Sequence, residues 1–276
     1  MRKPSRNYYP ELKFMTNSRG EIWINFNIWL RFQLKFVNFQ YWASSPVIRG
    51  VTLVNSQETY EADKSEIPHE HQLLIEKCAR RYADTFKIIR EVEFENWLIR
   101  NYILSNSFSD FNVSPINDDK PIVEIGPGLG AILALGAISK PKVMYSFDTF
   151  EMQTVFSAIL KQFTKDFEQL KMVAINDPRN RRPFKIDVRA SNVLAFWSFT
   201  EIKEEERNAY FDLFREASNI IIGSNEYFEG INNFDFIEKM AIELDKKVSW
   251  KTLDKVFETS LPSYQRHHRI YLLQAK

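Results

Sequence analysis

The segment Val123-Glu124-Ile125-Gly126-Pro127-Gly128-Leu129-Gly130 closes an apolar run and precedes a second one of helical character. Glycines at such a junction let the main chain turn sharply and come close to a ligand, which the N–H groups of the following helix then face. The chain has only 8 glycines, and Gly126, Gly128, Gly130 and Gly136 are clustered here, so the backbone needs them at this place. A nucleotide loop of this kind calls for an acid about 20 residues on, at the end of the next strand, to hold ribose hydroxyls. Asp148 follows Val143 to Phe147 at that position. Loop, helix, strand and acid together predict a cofactor containing adenosine.

The glycines do not choose among such cofactors, because Gly126 to Ala131 also satisfies the Gly-x-Gly-x-x-Ala dinucleotide fingerprint. Glu124 does. A pyrophosphate next to a carboxylate is electrostatically poor, whereas the ammonium of a methionine moiety suits it. That selects S-adenosyl-L-methionine, held by Glu124, Gly126, Gly128, Gly130 and Asp148, with Trp197 beside it. Only one sheet's worth of residues follows the motif, which leaves no separate dehydrogenase substrate domain.

Methyl transfer to oxygen needs an aligned acceptor and a base for the hydroxyl proton, the base being worth about 10²–10⁴-fold. Three candidates fall at the carboxyl edge of the implied sheet: Glu201 after the fourth strand, and His267 and His268 before the last. Adjacent extended residues point oppositely, so at most one histidine should face the site. Glu201 reads equally well as a helix-start carboxylate, and the histidines as surface residues. Ser198 and the pair Asn225 and Glu226 are the candidate substrate contacts. Arg179, Arg181, Arg182 and Lys185, with Arg266 and Arg269, form a basic set that could meet an anionic group or simply face water. Asp177 or Asp187 could contact the adenine amine. His69 and His71 point to different faces of a helix start and lack a third ligand, which predicts metal independence.

Composition narrows the partners. With 37 Lys+Arg against 36 Asp+Glu, the net charge of +1 lacks the basic excess of a nucleic-acid binder. No run reaches the ~18 apolar residues of a membrane span, and the N-terminus has no apolar secretory stretch. The single cysteine, Cys78, excludes an internal disulfide and a multi-thiolate metal site, and reads as core. The expectation is a cytoplasmic protein acting on a small-molecule or glycan substrate.

The elements that must position these residues divide into two parts. Residues 1–118 read as a mainly helical N-terminal cap, with helices from Ser65 to Phe86 and Val92 to Leu104 and a loop from Asn106 to Lys120. Within it, Ile22 to Trp42 fits both a strand, by strict alternation, and a helix, by its polar stripe; the helix is preferred for the second half. Its aromatic residues suggest packing on the rest of the protein or on a second copy or, less simply, a membrane-interface surface. Residues 119–276 alternate strands and helices. The strands are Pro121–Ile125, Lys142–Phe147, Met172–Ile175, Asn192–Phe196, Asn219–Ile222, Lys247–Trp250 and Arg269–Leu273. Helices are expected over Leu129–Ser139, Thr149–Leu170, Lys203–Ala217 and Phe234–Leu244. This predicts an α/β, doubly wound, Rossmann-like sheet of seven strands with an antiparallel last strand, and ligand at its carboxyl edge.

On Glu124 to Gly130, Asp148 and the closing hairpin, residues 119–276 resemble the Rossmann-like S-adenosylmethionine-dependent methyltransferases. The Glu124 to Gly130 motif is also similar to that of ribosomal RNA adenine dimethylases. Those enzymes, however, carry an Asn-Leu-Pro-Tyr-like tetrapeptide where this chain reads Ala195 to Ile202, so amino-base methylation is not expected. The segments Ser198-Phe199-Thr200-Glu201-Ile202 and Ile220 to Asn225 are similar to sugar O-methyltransferases of bacterial surface-polysaccharide clusters. Thr200 and Ile202 depart from that group's Ser-Phe-Gln-Glu-Met form. The resemblance implies methylation of a sugar hydroxyl. Competing readings are another small molecule or a peptide as acceptor, a non-catalytic partner of the same fold, and a nicotinamide-dependent oxidoreductase.

Overall fold

A computed structural model describes residues 28, 30–32, 34–44, 60–87, 89–139, 143–148, 152–155, 170–174, 189–258, 261 and 263–276. Among them, α1 (Glu61–Ser65), α2 (His69–Thr85) and α3 (Glu91–Ser105) precede a sheet of β1 (Ile122–Ile125), β2 (Met144–Asp148), β3 (Leu170–Ala174), β4 (Asn192–Phe196) and β5 (Asn219–Ser224), completed by β8 (Lys246–Thr252) and β9 (Arg269–Ala275). The strand order is β3-β2-β1-β4-β5-β9-β8. β1 to β5 pair in parallel, while β9 runs antiparallel to both β5 and β8. The order reverses between β1 and β4, and the crevice at their carboxyl ends is where such a sheet takes its ligand.

Alternation along the strands decides which residues meet which layer. Val123, Ile125, Val193, Ala195, Ile220, Ile222, Tyr271 and Leu273 face one layer. It contains α6 (Phe211–Glu216) and α7 (Asn233–Glu243), through Phe214, Ile237 and Met240. Ile122, Leu194, Ile221, Ile270 and Leu272 face the other, together with α4 (Ala131–Ser139). Helix α4 is apolar all round, Ile132, Leu133 and Leu135 being fully buried, so water cannot cover its outer side. Helices α2 and α3 cover it. Ile75, Cys78, Ala79 and Tyr82 of α2, spaced as one helical face, are all buried, and one apolar cluster runs from Leu30 through these helices to the sheet.

Polar ties fix the same packing. The ammonium of Lys251 on β8 donates to the Ser107 carbonyl at 2.8 Å and pairs with Asp110 at 2.9 Å. The Glu258 N–H donates to Asp63 of α1 at 2.6 Å. The described residues from Ile28 to Phe36 are helical and lead into a 3-10 turn, Phe39–Ser44. Strand alternation therefore does not extend over Ile28 to Phe36. Leu30 is buried while Leu34 and Val37 pack against the core, so the helical period determines the structure there; residues 21–27 lie outside the described set.

Three sequence expectations are corrected. Leu170, placed at the end of a helix, begins β3, two residues before the expected Met172. Of the rest of the helix expected over Thr149–Leu170, only Met152, Gln153, Thr154 and Val155 are described, and they are helical. The helix expected over Lys203–Ala217 is broken into α5 (Glu204–Arg207), a 3-10 turn Asn208–Tyr210, and α6. Arg207 turns inward at that break. A small hairpin, β6 (Tyr227–Phe228) with β7 (Ile231–Asn232), was not foreseen. Its turn residues Glu229 and Gly230 both have positive φ, 47° and 83°, the mirror-image turn that suits a two-residue hairpin loop.

The amino edge of the sheet is laced by side-chain amides. Gln274 Nε2 donates to Asn219 Oδ1 at 3.3 Å, Asn219 Nδ2 to Asn192 Oδ1 at 2.7 Å, and Asn192 Nδ2 to Asp118 Oδ2 at 2.7 Å. Asn192 is fully buried. Replacing it with Leu should strand its neighbours and lower stability by roughly 1–3 kcal/mol. Urea unfolding is the check, and a change under about 0.3 kcal/mol would show that the ladder contributes nothing.

Candidate active site

Gly126, Gly128 and Gly130 take φ values of 69°, 57° and 82°, in the left-handed region that glycine enters without penalty. Gly126 also serves a purpose different from the expected one. A Cβ there would collide with Cβ and Oγ of Ser198, and the Ser198 hydroxyl donates to the Ile125 carbonyl. The missing side chain thus admits the segment after β4 onto the end of β1. Ser198, expected as a substrate contact, has its hydroxyl proton committed to β1.

Glu124 projects from β1 toward α4. It is 5% exposed, and the Leu133 N–H in the first turn of α4 holds its carboxylate. Its Oε2 is buried with no hydrogen-bond partner. Burial first, then the charge of Asp148, pushes the Glu124 carboxyl up to about 8. Asp148, equally buried, ends the neighbouring strand β2. An idle carboxylate oxygen near a second acid invites a cation and repels phosphate. These residues fit S-adenosyl-L-methionine: a phosphate-free nucleoside bearing an ammonium for Glu124 and ribose hydroxyls for Asp148.

Trp197 follows β4 in the left-handed region, at φ 60°, which costs a residue with a Cβ about 1–2 kcal/mol. Several elements hold it there. Its N–H donates to the Gly223 carbonyl on β5 at 2.8 Å, and its carbonyl accepts from Thr200 Oγ1 at 3.3 Å. Its indole N–H donates to His268 Nδ1 at 3.2 Å, and the guanidinium carbon of Arg100 lies 5.5 Å from its ring. Burial, then the charge of Arg100, then that of His267, lowers the His268 pKa, which keeps the ring neutral. With Nδ1 accepting, the proton of the neutral ring sits on Nε2, so His268 offers a donor there instead of a basic lone pair. His267 is exposed.

Glu201 ends the 3-10 turn Phe199–Glu201 and is half-buried. The carbonyls on either side of it are both held by Arg207, which is fully buried. Arg207 Nη2 donates to Thr200 O at 2.6 Å and Nε to Ile202 O at 2.8 Å. Its guanidinium carbon lies 4.6 Å from the Phe236 ring centre. Burial lowers the Arg207 pKa to about 10, so it stays charged at neutral pH. Sequence reasoning missed Arg207 because it lay inside what read as one continuous helix, Lys203–Ala217, and its carbonyl partners precede that helix.

Asn225 is half-buried, its Oδ1 accepting from Asn233 Nδ2 at 3.2 Å, and Glu226 is exposed. Arg269 is packed between Phe234, at 4.2 Å, and Trp250, at 3.9 Å, while Arg266 donates to the Leu261 carbonyl at 3.0 Å. Both are engaged within the fold. Arg179, Arg181, Arg182, Lys185, Asp177 and Asp187 lie outside the described residues. His71 Nδ1 is 2.7 Å from the Tyr102 hydroxyl. No group of three or more metal-ligating side chains converges among the described residues.

No family model and no curated protein matches the chain. Among solved structures, it is similar to the magnesium protoporphyrin IX methyltransferase of Synechocystis PCC 6803 with bound SAM, at 14% identity and TM-score 0.47, over 91% of this chain and 97% of that one. It is also similar to the methyltransferase domain of bacterial CtHen1-C, at 9% identity and TM-score 0.47, over 64% of this chain and 98% of that one. A third is precorrin-6y C5,15-methyltransferase of Geobacter metallireducens GS-15, at 14% and 0.44, over 69% and 92%. At these scores the likeness establishes neither family nor substrate.

The raised pKa of Glu124 has a definite sign. Folded protein keeps this proton up to about pH 8 while unfolded chain loses it near 4.5, so the group makes stability fall as pH rises between those values and level off above. Glu124→Gln should flatten that slope, gaining on the wild type by up to a few kcal/mol toward pH 8. Thermal melts from pH 5 to 9 test this. Parallel pH profiles for the two proteins would show that the carboxyl titrates normally.

Proposed function

We propose that this protein is an S-adenosyl-L-methionine-dependent methyltransferase whose acceptor is a sugar hydroxyl in bacterial surface-glycan synthesis. The observation that carries the cofactor is the buried, unpartnered Oε2 of Glu124, close to Asp148 and beside a loop of left-handed glycines. When bound, that cofactor supplies an electrophilic methyl group on a sulfonium. Glu124 would hold its ammonium, Asp148 its ribose, and the turn from Gly126 to Gly130 its flank.

The chain's own residues then have separable tasks. Glu201 would take the acceptor proton, kept at the carboxyl edge of β4 by the Arg207 contacts on either side of it. His268, neutral and with Nε2 as donor, would orient an acceptor oxygen rather than deprotonate it. Asn225 and Glu226, after β5, would hold neighbouring hydroxyls. The sugar itself is supported by the resemblance of residues 198–202 and 220–225 to sugar O-methyltransferases. Residues 1–118 would wall the acceptor from water. The exposed Ile28, Phe32 and Phe36 would join two copies of the chain.

A second reading, a non-catalytic partner of the same fold, is favoured by one contact: Ser198 lies where a Cβ of Gly126 would be. Calorimetry with S-adenosylhomocysteine separates the two. Binding should appear with this ligand and not with NADH. Below pH 8 it should release about one proton, seen as heats that vary with the buffer, because the ammonium displaces the Glu124 proton. Asp148→Ala should weaken binding at least tenfold, and Glu201→Gln should lower kcat about 10²-fold with binding intact. Binding of NADH alone would overturn the cofactor assignment.

A further inference from the structure

Helix α2 reaches the glycine loop directly. The Tyr82 hydroxyl donates to the Leu129 carbonyl at 2.8 Å, inside the turn from Gly126 to Gly130. Both residues are buried, Tyr82 to 1% and Leu129 fully. The phenol pKa is pushed well up by burial first, then by Cys78 and the Glu124 carboxylate, so the hydroxyl keeps its proton and remains a donor. The Tyr82 ring is itself fixed, stacked on Phe94 at 5.3 Å and edge-on to Trp97 at 5.2 Å, both on α3.

A carbonyl in a tight turn next to a ligand can be satisfied by water or by the chain. Here water has no access, so a residue far upstream of the loop satisfies it. The N–H groups of the turn and the position of Glu124 over Leu133 both depend on how that turn is held, and a buried carbonyl left unpaired would rotate toward another donor. Other candidates serve the fold or the contact already proposed. Arg207 lies on the opposite layer of the sheet and acts on Glu201, and the exposed Ile28, Phe32 and Phe36 belong to the copy-to-copy contact proposed above.

We propose that Tyr82 is a positioning residue for the cofactor loop, so that cofactor affinity is set partly by the N-terminal helices and not by the Rossmann-like half alone. This rests on the cofactor reading above. The coupling must be reciprocal: ligand in the loop steadies α2, and loosening α2 costs ligand affinity.

The test pairs Tyr82→Phe with two readouts. Calorimetry with S-adenosylhomocysteine should show affinity weakened roughly three- to tenfold, the worth of one hydrogen bond, while the melting temperature without ligand shifts only a few degrees. A residue that served packing alone would lower the melting temperature and leave affinity unchanged, and that result would overturn the proposal. Amide exchange on ligand-free protein is independent of the cofactor assignment: residues 128–133 should exchange faster in Tyr82→Phe than in wild type, and equal rates would overturn the loop-holding role even if no ligand binds. Should the variant fail to fold, exchange in the wild type decides. Added S-adenosylhomocysteine should protect α2 around residues 78–86, and the absence of any added protection there would defeat the coupling.

Discussion

A carboxyl group has been buried at the centre of this protein with one oxygen that nothing in the fold binds. Glu124 sits on β1, next to the point where the strand order reverses, under α4, with Asp148 close enough to raise its pKa. A chain selected for stability alone would place an apolar side chain there, because burying a carboxyl with one idle oxygen costs free energy that nothing in the ligand-free fold returns. The surrounding structure makes sense as what tolerates that cost. Apolar layers on both faces exclude water, and the first turn of α4 lends one N–H.

The same constraint explains why the N-terminal helices are there. A helix that follows a glycine turn and has no polar face cannot close the fold by itself. Covering it calls for a further layer, and α2 and α3 provide one. Once in place, that layer lies within reach of the site. Tyr82 touches the loop, and Arg100 of α3 lies over Trp197. The covering elements therefore contribute side chains to the carboxyl edge as well as apolar area.

Much of the carboxyl-terminal half was readable in the sequence, because its signals are local. Val193 to Phe196 is an unbroken apolar run, and the glycine turn with Asp148 has a fixed spacing. The misreadings come from residues whose role is set by distant partners. Arg207 went unnoticed because its two carbonyl partners and its aromatic neighbours are brought to it by the fold. Ser198 looked free because the end of β1 lies far from it in sequence. The Tyr82 hydroxyl showed only as an apolar position on a helix, since periodicity reports burial and not the polar atom at the end of a ring. For Ile28 to Phe36, two periods fitted the same residues, and only contact with the core at Leu30 chose between them.

The amide ladder at the far edge has a consequence of its own. In a sheet buried on both faces, slipping a strand by one residue would exchange its two sets of side chains. Gln274, Asn219, Asn192 and Asp118 stitch β9, β5 and β4 to the segment entering β1 at the end remote from the crevice. Alignment is thus anchored where no ligand goes. The segments between strands at the other end are released from that duty, so they can lengthen, shorten or change composition during evolution without putting the alignment of the sheet at risk.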